Sequence, residues 1–192
     1  MQFDFAAGGD RTTLYGRIDL SDYVNVVRKD GLLIKELFFQ PRVPTGEGVG
    51  GVVQLTNTGA FAPYMSNDTG VAGDQSSALK LYATTRAYQD ASEVGIASPD
   101  VLALEEWFSY NSADLGLTIT NQNYSHSRYG PTDLHPDGFL VVTDLLVGIA
   151  ADNVMIGNVG DITMEIDILM IAEPTKITGA RLDEMLAQAQ DL

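Results

Sequence analysis

The stretch DITMEIDILMI, Asp161 to Ile171, decides the fold class. Ile162, Met164, Ile166, Ile168 and Met170 share one face, while Asp161, Thr163, Glu165 and Asp167 lie on the other. A two-residue period of this kind belongs to a half-buried β-strand, because successive side chains of a strand point to opposite faces. The pattern recurs along the chain. Leu115, Leu117 and Ile119 alternate with Gly116, Thr118 and Thr120, and Leu14, Ile18 and Leu20 with Tyr15, Arg17 and Asp19. Leu79 and Leu81 do so with Lys80 and Tyr82.

Two further segments, Leu32 to Phe39 and Phe139 to Ile149, are apolar on both faces. Strands of that kind lie inside a sandwich or barrel, or have one face covered by another subunit. Val52 to Thr56 and Val154 to Ile156 add shorter strands. Between them, Pro41 to Gly51, Ala60 to Gln75 and Asn121 to Gly138 are rich in turn-forming residues and read as long surface loops. Loops of more than about 12–15 residues usually bear function or contacts.

Helical signals are few. Ser98-Pro99-Asp100 offers an N-cap residue, a proline for the first position and an acid, and predicts a short inserted helix over about 99–110. After Pro174, which ends the preceding strand, Leu182, Met185, Leu186 and Ala189 form an i, i+3, i+4, i+7 stripe. That spacing predicts an amphipathic helix over about 179–190. A helix of such length is marginal alone, so it must dock, on its own barrel or on a neighbour. The expected architecture is mainly β: one jelly-roll or sandwich-like barrel over residues 1–173, with a helical tail over 174–192.

The totals bound the function. The 192 residues carry 26 acids against 11 Lys and Arg, a net charge of −15, which disfavours nucleic-acid binding by attraction to phosphates. Asp outnumbers Glu 18 to 8 and only four lysines are present, a balance that reads as a well-solvated surface or, more sharply, as one suited to saline surroundings. There is no cysteine, hence no disulfide, thiolate metal site or cysteine nucleophile. No apolar run is long enough to span a bilayer, and the acidic N-terminus lacks the features of a signal peptide.

A search for chemistry gives little. The two histidines, His126 and His135, share one loop with Asp133 and Asp137 but lack metal-binding spacing. Glu105 and Glu106 beside Trp107 suggest a sugar site, yet on a helix adjacent carboxylates do not converge. The glycine-rich run Gly46 to Gly51 lacks the lysine of a P-loop. Asn67-Asp68-Thr69-Gly70 with Asp74 carries oxygen ligands at a spacing foreign to an EF-hand. No catalytic cluster, metal site or cofactor is therefore expected. Tyr124 and Tyr129, in a tyrosine-rich region, are candidate contact residues together with Leu182, Met185, Leu186 and Ala189 of the tail.

In this layout, an acidic, cysteine-free chain of about 20 kDa with loop insertions and a terminal segment, the sequence resembles the single-barrel coat proteins of tailless icosahedral viruses with an internal membrane, including those of halophilic archaea. The resemblance implies a non-enzymatic capsid subunit that partners itself or other capsid proteins in capsomers and resides in the virion. It also implies assembly in the host cytoplasm. The alternative is a carbohydrate- or ligand-binding sandwich using loop aromatics such as Tyr64, Tyr124 and Tyr129.

Overall fold

The computed structural model describes residues 1–5, 13–42, 73–90, 94–113, 119–152 and 162–190. They form two antiparallel sheets packed face to face. One contains β1 (Gln2–Phe5), β9 (Ile162–Lys176), β3 (Asp30–Arg42) and β7 (Phe139–Val141), in that order. The other contains β2 (Leu14–Ile18), β8 (Leu145–Asp152), β4 (Gly73–Thr84), β5 (Val101–Ala113) and β6 (Ile119–Tyr129). Among the described residues there are also two helices, α1 (Pro131–Leu134) and α2 (Gly179–Gln190).

With β6 set aside, the pairings nest from the outside inward. The first strand pairs with the last (β1 with β9), β2 with β8, β3 with β7, and β4 with β5. The chain thus behaves as one long hairpin whose successive pairs alternate between the sheets. The main core fills the space between them: Leu32, Ile34, Leu37 and Phe39 from one side meet Leu79, Leu81, Trp107, Val147 and Ile149 from the other. Burying side chains of this kind contributes about 1.5–3 kcal/mol each. Ile166, Ile168 and Met170 face this core, as the alternation of the 161–171 stretch requires.

The expected helix over 99–110 is instead strand β5. Ala103, Glu105 and Trp107 point into the sandwich, while Leu104 points outward, with Leu102 forming a bulge opposite the Ala83–Thr84 step. Tertiary pairing with β4 and β6 overrides the local start signal. Ser98 still forms a turn there, accepting the Gly95 N–H through its hydroxyl at 3.1 Å.

The segment 139–149 is not one strand. It crosses from β7 to β8, in different sheets, and Asp144 holds the crossing by accepting the Leu20 N–H at 2.9 Å and by pairing with Arg17. Residues 121–138 are not a loop throughout, since β6 and α1 occupy most of them. Nor does Pro174 end β9, which continues to Lys176. The N–H and carbonyl of Ile166 point to Met1, away from β3. By alternation so does the position of Pro174, where the missing donor deprives β3 of nothing.

A second apolar cluster covers the outer face of the five-stranded sheet. Tyr82, Val94, Val101 and Leu104 are buried there with Tyr15, Tyr88, Tyr129 and Leu134 against them. Tyr15 and Tyr82 join hydroxyls at 2.6 Å, and the Tyr88 N–H donates to Tyr15 at 2.6 Å. Burial and the Tyr15 hydroxyl push the Tyr82 phenol well above its ordinary range, so it stays protonated. The expected strands 52–56 and 154–156, and residues 115–118 of a third, lie outside the described residues. No helix among the described residues is long and apolar enough to cross a membrane.

Candidate functional site

The most concentrated polar chemistry in the described residues sits where β3 loses its neighbour. β7 pairs with β3 only from Leu32 to Ile34, and among the described residues no strand pairs with β3 beyond that on this side. Phe39 and Ile168 are Cα partners whose ladder groups point away from each other, which aims the Phe39 N–H at this edge. Glu105, 3% exposed, reaches across from β5 and accepts that N–H through Oε1 at 3.2 Å. Arg128, opposite Glu105 on β6, donates to the Leu37 carbonyl at 3.2 Å and lies 3.5 Å from Glu105 Oε1. The guanidinium also covers the Phe38 ring at 4.0 Å.

A carboxylate and a guanidinium therefore take the place of the missing strand, one as acceptor and one as donor. Charged partners make these bonds stronger than neutral ones, and a buried N–H left without an acceptor would be costly. His126 completes the group. Its Nε2 lies 3.1 Å from Glu105 Oε2, and its ring stacks on Trp107 with centroids 4.8 Å apart and planes 8° from parallel.

The neighbouring polar groups do not join this set. Glu106 lies on the opposite face of β5 and pairs with Lys80 at 3.2 Å, so the two adjacent carboxylates do not converge. Ser125 and Ser127, the serines nearest His126 in sequence, alternate onto the other face of β6. His135 is held apart, donating to the Val101 carbonyl at 3.1 Å and meeting Phe139 edge-on. Asp133 caps α1 by accepting the Gly130 N–H at 2.7 Å, and the Asp137 carbonyl accepts from Lys35. No group of three or more potential metal ligands occurs among the described residues.

The expected contact residues divide. Tyr129 packs into the outer cluster beside Tyr82 and is not a free loop aromatic. Tyr124 lies on β6 opposite Ser109. Leu182 and Met185 pack on Leu140, Val142 and Ile177 of the same chain, so this part of the tail docks on its own sandwich. Leu186 and Ala189 follow on α2. Tyr64, the Gly46–Gly51 run and Asn67 to Gly70 lie outside the described residues, and Asp74 is the second residue of β4, opposite Ser112.

Two exposed apolar patches stand out among the described residues. Leu169 and Ile171, on the polar face of the 161–171 stretch, are 61% and 48% exposed on the outside of the four-stranded sheet. Tyr23, Val26 and Val27 are exposed on the segment between β2 and β3, Val27 at 92%. Comparison with models of known families, with curated proteins and with solved structures finds no match.

Proposed function

We propose that this chain is a structural subunit of a viral shell, built as a single jelly roll with one added edge strand. The observation that carries the reading is the nested pairing of β1 with β9, β2 with β8, β3 with β7 and β4 with β5. A jelly roll is a long antiparallel hairpin rolled up in this manner, and the architecture is a recurrent one in capsid proteins. The fold also serves other functions, so the site must add its weight. Here the buried Glu105 carboxylate is engaged by the Phe39 N–H of a sheet edge, with the more exposed Arg128 and His126 beside it, which favours a structural task.

The net charge of −15 suits an outer surface in saline surroundings better than one that packs nucleic acid. Exposed apolar side chains on the sheet face and at the 23–27 segment supply surface for subunit contacts. In this reading the chain assembles with itself or with other capsid proteins into capsomers, resides in the virion and catalyses nothing.

Negative-stain electron microscopy of the purified full chain, concentrated in moderate and high salt, tests the proposal. Uniform rings or closed shells are the expected result. A field of dispersed single molecules under every condition would overturn the homomeric form of the reading.

A further inference from the structure

We infer that the hairpin tip between β2 and β3 of one copy docks on the outer face of the four-stranded sheet of a second copy. The inference rests on the shell-subunit reading for its occupant and names the contact that would build the shell.

The tip is an exception on this acidic chain. Asn25 and Asp30 close it with backbone bonds of 2.8 and 2.9 Å, leaving residues 26–29 as a turn. Val27 stands 92% exposed, with Val26 and Tyr23 also exposed. Around them lie Arg28, Lys29 and, from the end of β9, Lys176. Arg28 and Lys176 share the single carboxylate of Asp30, so cations outnumber it, with Asp22 on the turn before. Lys29 has φ +56°, a conformation that glycine adopts more easily. The backbone strain thus presents a cation at a position where a small residue would be cheaper.

The sheet face is the complement. On β9 the outward residues run Glu165, Asp167, Leu169, Ile171 and Glu173, and on β3 Glu36 and Phe38 stand opposite Ile171 and Leu169. Leu169 and Ile171 form an exposed apolar centre, with Glu36, Asp167 and Glu173 exposed around it. A valine tip carrying cations therefore matches an apolar centre bordered by three acids, with the Arg128 guanidinium over Phe38 at its far edge, and the match matters because net repulsion between copies opposes any other approach. Asp30 pairs with Lys176, and Ile171 lies five residues back along β9, about 17 Å away at strand rise. Tip and face are thus distinct surfaces, one at the end of the sandwich and one on its side. The contact is heterologous, and it propagates until it closes into a ring.

Charge reversal with rescue tests this, read by light scattering on the full chain. Arg28→Glu with Lys29→Glu, and separately Glu36→Lys with Glu173→Lys, each weaken association on the order of tenfold or more. All four substitutions in one chain restore it. Val27→Asp, at a side chain too exposed to support the fold, also weakens association while leaving the circular dichroism and thermal midpoint unchanged. Association that persists through both reversals overturns the contact and leaves the shell reading standing. A four-fold variant no better than either pair overturns it too, as does a native chain that never self-associates.

Discussion

Glu105 on β5 accepts the backbone N–H of Phe39 on β3 at 3.2 Å, from one sheet to the other. Arg128 makes the matching bond to Leu37, so this ion pair stands in for a strand. The consequence is a closed flank where a sandwich would otherwise expose a pairing edge.

Replacing Glu105 by Ala leaves the Phe39 N–H without its acceptor and the Arg128 guanidinium without its counter-ion. Loss of a charged hydrogen-bond partner at a buried site costs about 2–3 kcal/mol, and Glu105→Gln, which keeps the acceptor oxygen, costs about 1 kcal/mol. Urea unfolding of the two variants beside the native chain measures the difference. Equal stability of all three would show that β3 does not depend on this pair.

Gly148 lies against the Tyr82 ring, and an added Cβ would fall within the space of that ring. Gly148→Ala must push Tyr82 from its hydrogen bond with Tyr15, at a cost of about 1–3 kcal/mol from overpacking. Thermal unfolding reads the loss, and Tyr82→Leu in the same chain recovers part of it.

Asp144 gives a pH dependence of known sign. The Leu20 N–H and the Arg17 guanidinium hold its carboxyl below the ordinary value of 3.8. A depressed carboxylate contributes stability that is full above that value and is lost as pH falls through its lower folded value. The native chain should therefore lose stability below pH 3.8 more steeply than Asp144→Asn. Chemical denaturation at pH steps across the acid range checks it, and parallel curves would exclude the role.

Leu182 anchors the tail by burial against Val142 and Ile177. Leu182→Ala removes about 2–3 kcal/mol of packing, at the low end of the range because the site is at the edge of the sandwich. The expected sign is faster proteolysis within 179–190 while the β signal in circular dichroism stays intact. Loss of both together would mean that α2 and the sheets form one cooperative unit.

The strands were legible where alternation is clean. Ile166, Ile168 and Met170 face the core as their period demands. The same stretch also carried an overlooked signal, because Leu169 and Ile171 break the polar side of the pattern, and they prove to be exposed. In β3 the bulge at Lys35 puts Ile34 and Leu37 on one face, three apart, which hides the two-residue period. In β5 a proline-led start and a run of Leu and Glu imitate a helix, although Ala103, Glu105 and Trp107 already alternate toward one side. The Glu105–His126–Arg128 group was out of reach, since it needs the pairing of β5 with β6 and the place where β7 stops. Those are long-range facts that no local pattern encodes. The nested pairing of strands is a long-range fact as well, whereas the mainly β class follows from periodicity alone.

Sedimentation velocity of the full chain across a concentration series, in low and in high salt, tests the central claim that this is an assembling shell subunit. The account predicts a monomer at low salt, where charge of −15 keeps copies apart, and a discrete, faster-sedimenting oligomer as salt screens it. A single monomer boundary at every concentration and salt would contradict self-assembly, the homomeric form of that claim.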